Sequence, residues 1–341
     1  MAMSVPEIAK PEKVSYVFIA AILVLVAWLH LGAALIAGLF AYLALTRLNC
    51  FKRLGKWVSV VLFILFLAGA LYALGFIINQ TVHALPEIAD NAIPPIIDWA
   101  RQHHIELPFT DYDSLKDAIM DAVRTQTQYL GSAARVVRGA GSQFIMVLVA
   151  SVIAIGIFIH PHFETDHEPR PAPNNLYTVC CAALEKRFQT FYGSFATVMG
   201  AQVVISAINT FLTAMFVLVT HMPHGIVVVG MTFLCGLLPV IGNLISNTII
   251  VGIGITVSAK LALAALIFLV VVHKLEYFLN SKIVGDRIRN PFWLTLVALI
   301  LGEKLMGLPG MILAPIILNY IRVETSRFKT EPPPTASQLS L

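Results

Sequence analysis

Gly236-Leu-Leu-Pro-Val-Ile-Gly242, followed at once by Asn243, Ser246 and Asn247, sets one proline and two glycines in the middle of a long apolar run. Proline has no amide proton to give a helix interior and glycine is costly there, so a helix entering this stretch ends or kinks inside it. A second break of the same kind, Gly302-Glu-Lys-Leu-Met-Gly-Leu-Pro-Gly310, carries Glu303 and Lys304 between two more apolar runs. A broken helix frees backbone N–H and C=O groups that hydrocarbon cannot satisfy. Such breaks persist where they are buried in protein or line a wet cavity, and two of them in one chain point to a transport site.

The composition sets the class. Apolar residues are 58% of the 341 and charged residues 12%, with a mean hydropathy of +0.81, whereas soluble domains carry roughly 25% charge. The chain reads as an all-α, polytopic integral membrane protein of about eight spans at about 20 residues per crossing. Two Gly/Pro-broken helical hairpins, of the kind that either cross or re-enter the bilayer, belong to it. The net charge of +4 comes from basic residues beside apolar runs, which suits membrane anchoring and no nucleic-acid partner. Cys50, Cys180, Cys181 and Cys235 lack metal-ligand spacing, so neither a metal site nor a disulfide framework is expected. No cofactor motif is present. His-Glu-x-x-His and Gly-x-Ser-x-Gly arrangements are absent, so no catalytic residues are expected and the chain reads as a non-enzyme.

In chain order, residues 1–78 read as N-terminal membrane helices. The run from Val14 to Leu45 is too long for one crossing and splits at His30-Leu-Gly32, and Trp57 to Ile78 makes a third span. Residues 79–141 form an extracytoplasmic region, in which Leu115 to Val137 repeats apolar residues at three-and-four spacing as an amphipathic helix does. Residues 142–160 span the membrane again. Residues 161–193 read as a cytoplasmic interfacial segment: a polar loop continuing from His160 to Glu168, then an amphipathic helix from Leu176 with Glu185, Lys186 and Arg187 on its solvated face. Residues 194–329 are the C-terminal transport core, and 330–341 a disordered tail. Most of the 23 lysines and arginines fall on one side in this threading, which places both termini in the cytoplasm.

Candidate site residues follow from polar groups on apolar helices. Gln202, Ser206, Asn209 and Thr213 recur at spacings that put them on one face, and such a stripe serves either as interhelical glue or as a solute or ion pathway. His273, Glu276, Tyr277 and Asn280 make a second polar face. Gln202, Ser206 and Asn209 are solute-binding candidates, Asn243 and Asn247 with the backbone freed at Pro239 and Gly242 a solute or cation site, and Glu276, Asn280 and Glu303 proton or cation carriers and their neighbours. Gly236, Pro239, Gly242, Gly307, Pro309 and Gly310 are the expected hinges. No Gly-rich run ending in Gly-Lys-Ser/Thr occurs, so active transport would draw on an ion gradient, with a passive pore as a further reading.

Laid out this way, the chain resembles the autoinducer-2 exporter family of bacterial transporters. The resemblance rests on Pro239, Ile241 and Gly242, on Glu276-Tyr277, on Lys282 to Gly285, on Pro291 and on Gly307 to Pro315, with Ala41-Tyr42 as a weaker match. Ser281 stands where the family usually has proline. The resemblance implies a multi-pass permease of the bacterial inner membrane, working as a homo-oligomer in the lipid bilayer. The activities it implies are export of a small polar solute such as autoinducer-2 or, as the alternative, Na+(Li+)/H+ antiport; it does not fix the substrate, and Na+ and H+ are the candidate ionic partners.

Overall fold

The computed structural model describes residues 10–49, 55–102, 133–160, 176–238, 241–279 and 291–327. Among them are ten helices and no strand: α1 (Lys10–Trp28), α2 (Gly32–Leu48), α3 (Gly55–Gln102), α4 (Ala133–Ile159), α5 (Leu176–Thr220), α6 (Gly225–Gly236), α7 (Ile241–Val257), α8 (Ala259–Leu279), α9 (Phe292–Met306) and α10 (Leu308–Thr325). The all-helical membrane class is thus as expected. Pro239, Asn280, residues 161–175, residues 103–132 with most of the amphipathic repeat, residues 281–290 and residues 328–341 lie outside the described residues.

The described residues do not establish the eight spans read from the sequence. Among the described residues two helices are long and apolar enough to cross a membrane, within Gly55–Thr81 and Leu176–Thr220, and a third crossing arises if Glu12–Trp28 and Gly32–Leu48, bent by 120° at their break, are one span. The apolar stretches Phe144–Ile159, Gly225–Gly236 and Gly242–Val257 are shorter, below the ~20 residues of a straight crossing. Two further differences concern continuity. Helix α3 runs on from the third apolar run through Gln102, and residues 176–193 and 194–219 form one helix, α5, rather than a surface helix and a separate span.

Two connections are marked by histidines in the left-handed region: His30 between α1 and α2, and His221 and His224 between α5 and α6. Histidine is among the residues that enter this region most readily after glycine.

Two compact units divide the chain. One consists of Met1–Leu35, His162–Val198 and Ile288–Leu341, the other of Ile36–Pro161 and Met199–Arg287. The second unit holds two apolar cores. Ala41 and Leu45 of α2, Val60 and Phe63 of α3 and Ala154 and Phe158 of α4 form one, and Lys56 Nζ donates to the carbonyl of Ile159 at 2.8 Å, a cation at the negative end of α4. The other joins Val217 and Met222 to Val228 of α6, Ile250 and Ile253 of α7 and Ala265 of α8, with Phe216 and Phe268 stacked 4.4 Å apart. This second core frames the candidate site.

In the first unit, α9 and α10 form a tight hairpin. Gly307 turns it, at φ 65 and ψ −142, a conformation open essentially to glycine alone. The two helices touch backbone to backbone, since a Cβ on Gly310 would meet the carbonyl oxygen of Gly302 at 1.8 Å. Leu299, Met311 and Ala314 pack beside the crossing.

Candidate functional site

Helix α6 ends at Gly236 within the apolar run, and the carbonyls of its last turn lose their helical partners. Each of them finds a donor. The oxygen of Leu234 accepts from Leu237 N at 3.3 Å and that of Cys235 from Leu238 N at 2.8 Å. The other two are served by α5: Ser206 Oγ donates to Phe233 O at 2.8 Å, and Gln202 Nε2 to Gly236 O at 2.6 Å. The glycines of the break permit this closeness, because a Cβ at Gly236 would sit 2.5 Å from Ser206 Oγ and one at Gly242 would sit 1.7 Å from Cys235 O.

One helical turn further along α5 the stripe changes its task. Asn209 and Thr213 line a cavity together with Thr232 of α6, Asn243, Ser246, Asn247 and Ile250 of α7, and Leu269, Val272, His273 and Glu276 of α8. Its charged centre is Glu276. Asn243 Nδ2 donates to both carboxylate oxygens, at 2.8 and 2.7 Å, and Asn209 Nδ2 lies 3.4 Å from Oε2. A carboxylate only accepts when ionised, so both amides turn their NH2 groups toward it. That leaves Asn209 Oδ1, buried and without a hydrogen-bond partner.

The hydroxyls of the wall are largely spent within their own helices. Thr232 Oγ1 donates to Val228 O at 2.8 Å and Ser246 Oγ to Asn243 O at 3.2 Å. The cavity offers about 20 Å³ to the centre of a water-sized molecule, about the room that one or two waters need.

Of the residues singled out from the sequence, the structure brings Asn209, Thr213, Asn243, Ser246, Asn247, His273 and Glu276 to one cavity. Gln202, Ser206, Gly236 and Gly242 lie at the break, where the first two bond to backbone. Glu303 is not among the cavity's lining residues. It sits beside the hairpin tip with a half-exposed side chain, 3.5 Å from the ammonium of Lys304. Gly307, Pro309 and Gly310 form that tip. Thr232 was not foreseen, although a lone hydroxyl in the apolar α6 was a signal for it. Arg187, read as part of a solvated face, is 2% exposed, and Glu324, which no pattern singled out, is 3% exposed.

Residues 14–324 match the family model described as AI-2E family transporter. The chain is also 29% identical over 138 residues to a protein of Bacillus subtilis (strain 168) named "Putative transport protein YdbI", a match that covers 38% of this chain and 39% of that protein. The chain thus spans about two fifths of the length of the curated relative it matches.

Proposed function

The chain belongs to the AI-2E family of transporters, and from that premise we propose that it is a gradient-driven permease of the bacterial inner membrane with its coupling site at Glu276. Its cargo is a small polar solute such as autoinducer-2, moved outward, and it works as a homo-oligomer with both termini in the cytoplasm. The observation that carries this reading is a carboxylate held by two neutral amides inside a polar cavity beside a broken helix. Asn243 and Asn209 orient the anion without cancelling its charge, so a proton or a small cation entering from one side neutralises it there. Neutralisation weakens the hold of the Asn243 amide, since hydrogen bonds to an ionised acceptor are about twice as strong as neutral ones. The junction of α6 and α7 is then free to shift against α8, and this links ion binding to the opening of the solute path.

Cavity size favours a second reading, Na+(Li+)/H+ antiport, in which the cation is itself the cargo. Room for one or two waters suits a bare or singly hydrated cation, and the Glu276 oxygens with the unpartnered Asn209 Oδ1 are hard oxygen donors of the right chemistry. The carbonyls of the α6 end already accept hydrogen bonds and are less available.

Sealed proteoliposomes with an imposed proton gradient test both. Gradient-dependent movement of labelled autoinducer-2, abolished in Glu276→Gln, supports the first reading. Proton flux triggered by sodium or lithium alone, lost in the same variant, replaces it with the second. Normal transport of either kind in Glu276→Gln sinks the coupling role.

A further inference from the structure

A buried charged cluster in the other unit takes no part in the cavity. The guanidinium of Arg187 on α5 is bonded to Oε2 of Glu324 on α10, and both residues are almost fully enclosed. The hydroxyl of Tyr16 on α1 donates to the same oxygen at 3.0 Å. Its ring faces the guanidinium, with Cζ of Arg187 4.1 Å from the centroid. Burying such a pair is seldom a source of net stability, because two charges give up their water and apolar replacements often fold as well or better.

What the arrangement does provide is a second counter-ion for each buried charge. Arg187 Nη2 lies 3.6 Å from Glu12 Oε1 on α1, with the Glu12 side chain 41% exposed. Glu324 Oε1 lies 3.0 Å from Arg327 Nη1 three residues on, with the Arg327 side chain 38% exposed. Glu12 with Arg187 is one neutral pair and Glu324 with Arg327 another. The boundary between α10 and the α1/α5 pair therefore separates two halves, each complete in charge without the other.

We infer that this cluster is a latch that opens along that boundary, α10 parting from α1 and α5 while each buried charge keeps its second partner. Opening breaks the Arg187–Glu324 bond, the Tyr16–Glu324 bond and the 2.9 Å bond from Arg327 Nη2 to Thr190 Oγ1. The exposed partners Glu12 and Arg327 admit water as it does so. An apolar seam could not rehydrate in this way, so the charged one keeps the closed and open states near in energy.

The test uses the purified full chain in detergent, with its four cysteines replaced by alanine and Asn319→Cys as reporter. Asn319 on α10 is 3% exposed, and its Oδ1 accepts no bond. Its labelling by a water-soluble maleimide reads the opening of α10. Glu12→Gln with Arg327→Gln leaves the central pair in place but deprives each half of its neutrality, and should slow labelling at least about tenfold. Arg187→Met with Glu324→Met should slow it as well while leaving the melting temperature unchanged or higher. Equal or faster labelling in the Glu12→Gln/Arg327→Gln protein overturns the latch. So does a parent labelling rate no greater than its unfolding rate, since α10 would then not part in the folded state. No solute or gradient enters the measurement, so its outcome stands apart from the role of Glu276.

Discussion

The cavity around Glu276 and the cluster around Glu324 each gather helices about one carboxylate, and they hold it by opposite means. Glu276 accepts from the amides of Asn243 and Asn209, and among the described residues no lysine or arginine is paired with it. Glu324 accepts from Arg187 and Arg327 as well as from Tyr16. Amides orient an anion and leave its charge in place, whereas guanidinium groups cancel it. The first arrangement leaves the carboxylate without a cationic partner among the described residues, as the proposed coupling role requires, and the second ties α1, α5 and α10 together. On the proposed reading, two acids of the same chemistry serve exchange in one region and attachment in the other.

The largest expected effect separates the two directly. Glu324→Gln leaves Arg187 with only the part-exposed Glu12 and Arg327 without its acid, and should cost up to about 3 kcal/mol, the low end for removing one member of a buried pair. Glu276→Gln keeps an acceptor for Asn243 and should cost under about 1 kcal/mol, while coupled transport is lost. Thermal melts in detergent alongside flux in proteoliposomes check both. If Glu276→Gln melted as early as Glu324→Gln, Glu276 would be a structural residue and the contrast would collapse.

How far each region was legible in the sequence follows from the range of its contacts. The α5 stripe could be read because helical spacing is local: residues three and four apart share a face, and Gln202, Ser206 and Asn209 do. Its division into two tasks could not be read, since that depends on where the carbonyls of Phe233 and Gly236 come to lie. The union of Asn243 with Glu276 pairs residues on different helices, and only the shared scarcity of polar groups in apolar runs hinted at it. Arg187 was misread for a related reason. Beside Glu185 and Lys186 it looks like one more surface charge, and only α10, far along the chain, supplies the acid that buries it. The count of eight spans is not confirmed by helix length, because α6 and α7 are shorter than the apolar runs that contain them once the break takes its share.

A middle-sized effect sharpens the account of the cavity. Asn243→Leu removes the donor that meets both oxygens of Glu276 and leaves the 3.4 Å contact from Asn209. A loss of about 1–3 kcal/mol is expected for an acceptor deprived of its partner, together with weaker ion coupling. Asn243→Ser, with a shorter donor, should recover part of the stability and little of the coupling. Gln202→Leu acts on the break instead. It leaves the carbonyl of Gly236 without its α5 donor and should lower stability by about 1–2 kcal/mol, with the ion dependence of the residual flux unchanged. A shifted ion dependence in Gln202→Leu would mean that the upper part of the stripe also belongs to the site.

The smallest effect is the most specific to the packing at the break. Ser206→Ala removes one donor from Phe233 O and should cost about 1 kcal/mol. Gly236→Ala should cost more, because its new methyl would stand 2.5 Å from Ser206 Oγ and 3.0 Å from Ser206 Cβ. Removing the hydroxyl takes away the closer of these two clashes. The double variant should therefore be more stable than the sum of the single losses allows, by about 0.5–1 kcal/mol in a double-mutant cycle. Strict additivity in thermal melts would show that α5 and the end of α6 are not held against each other at this point. The stripe would then be a lining throughout rather than half clamp and half cavity wall.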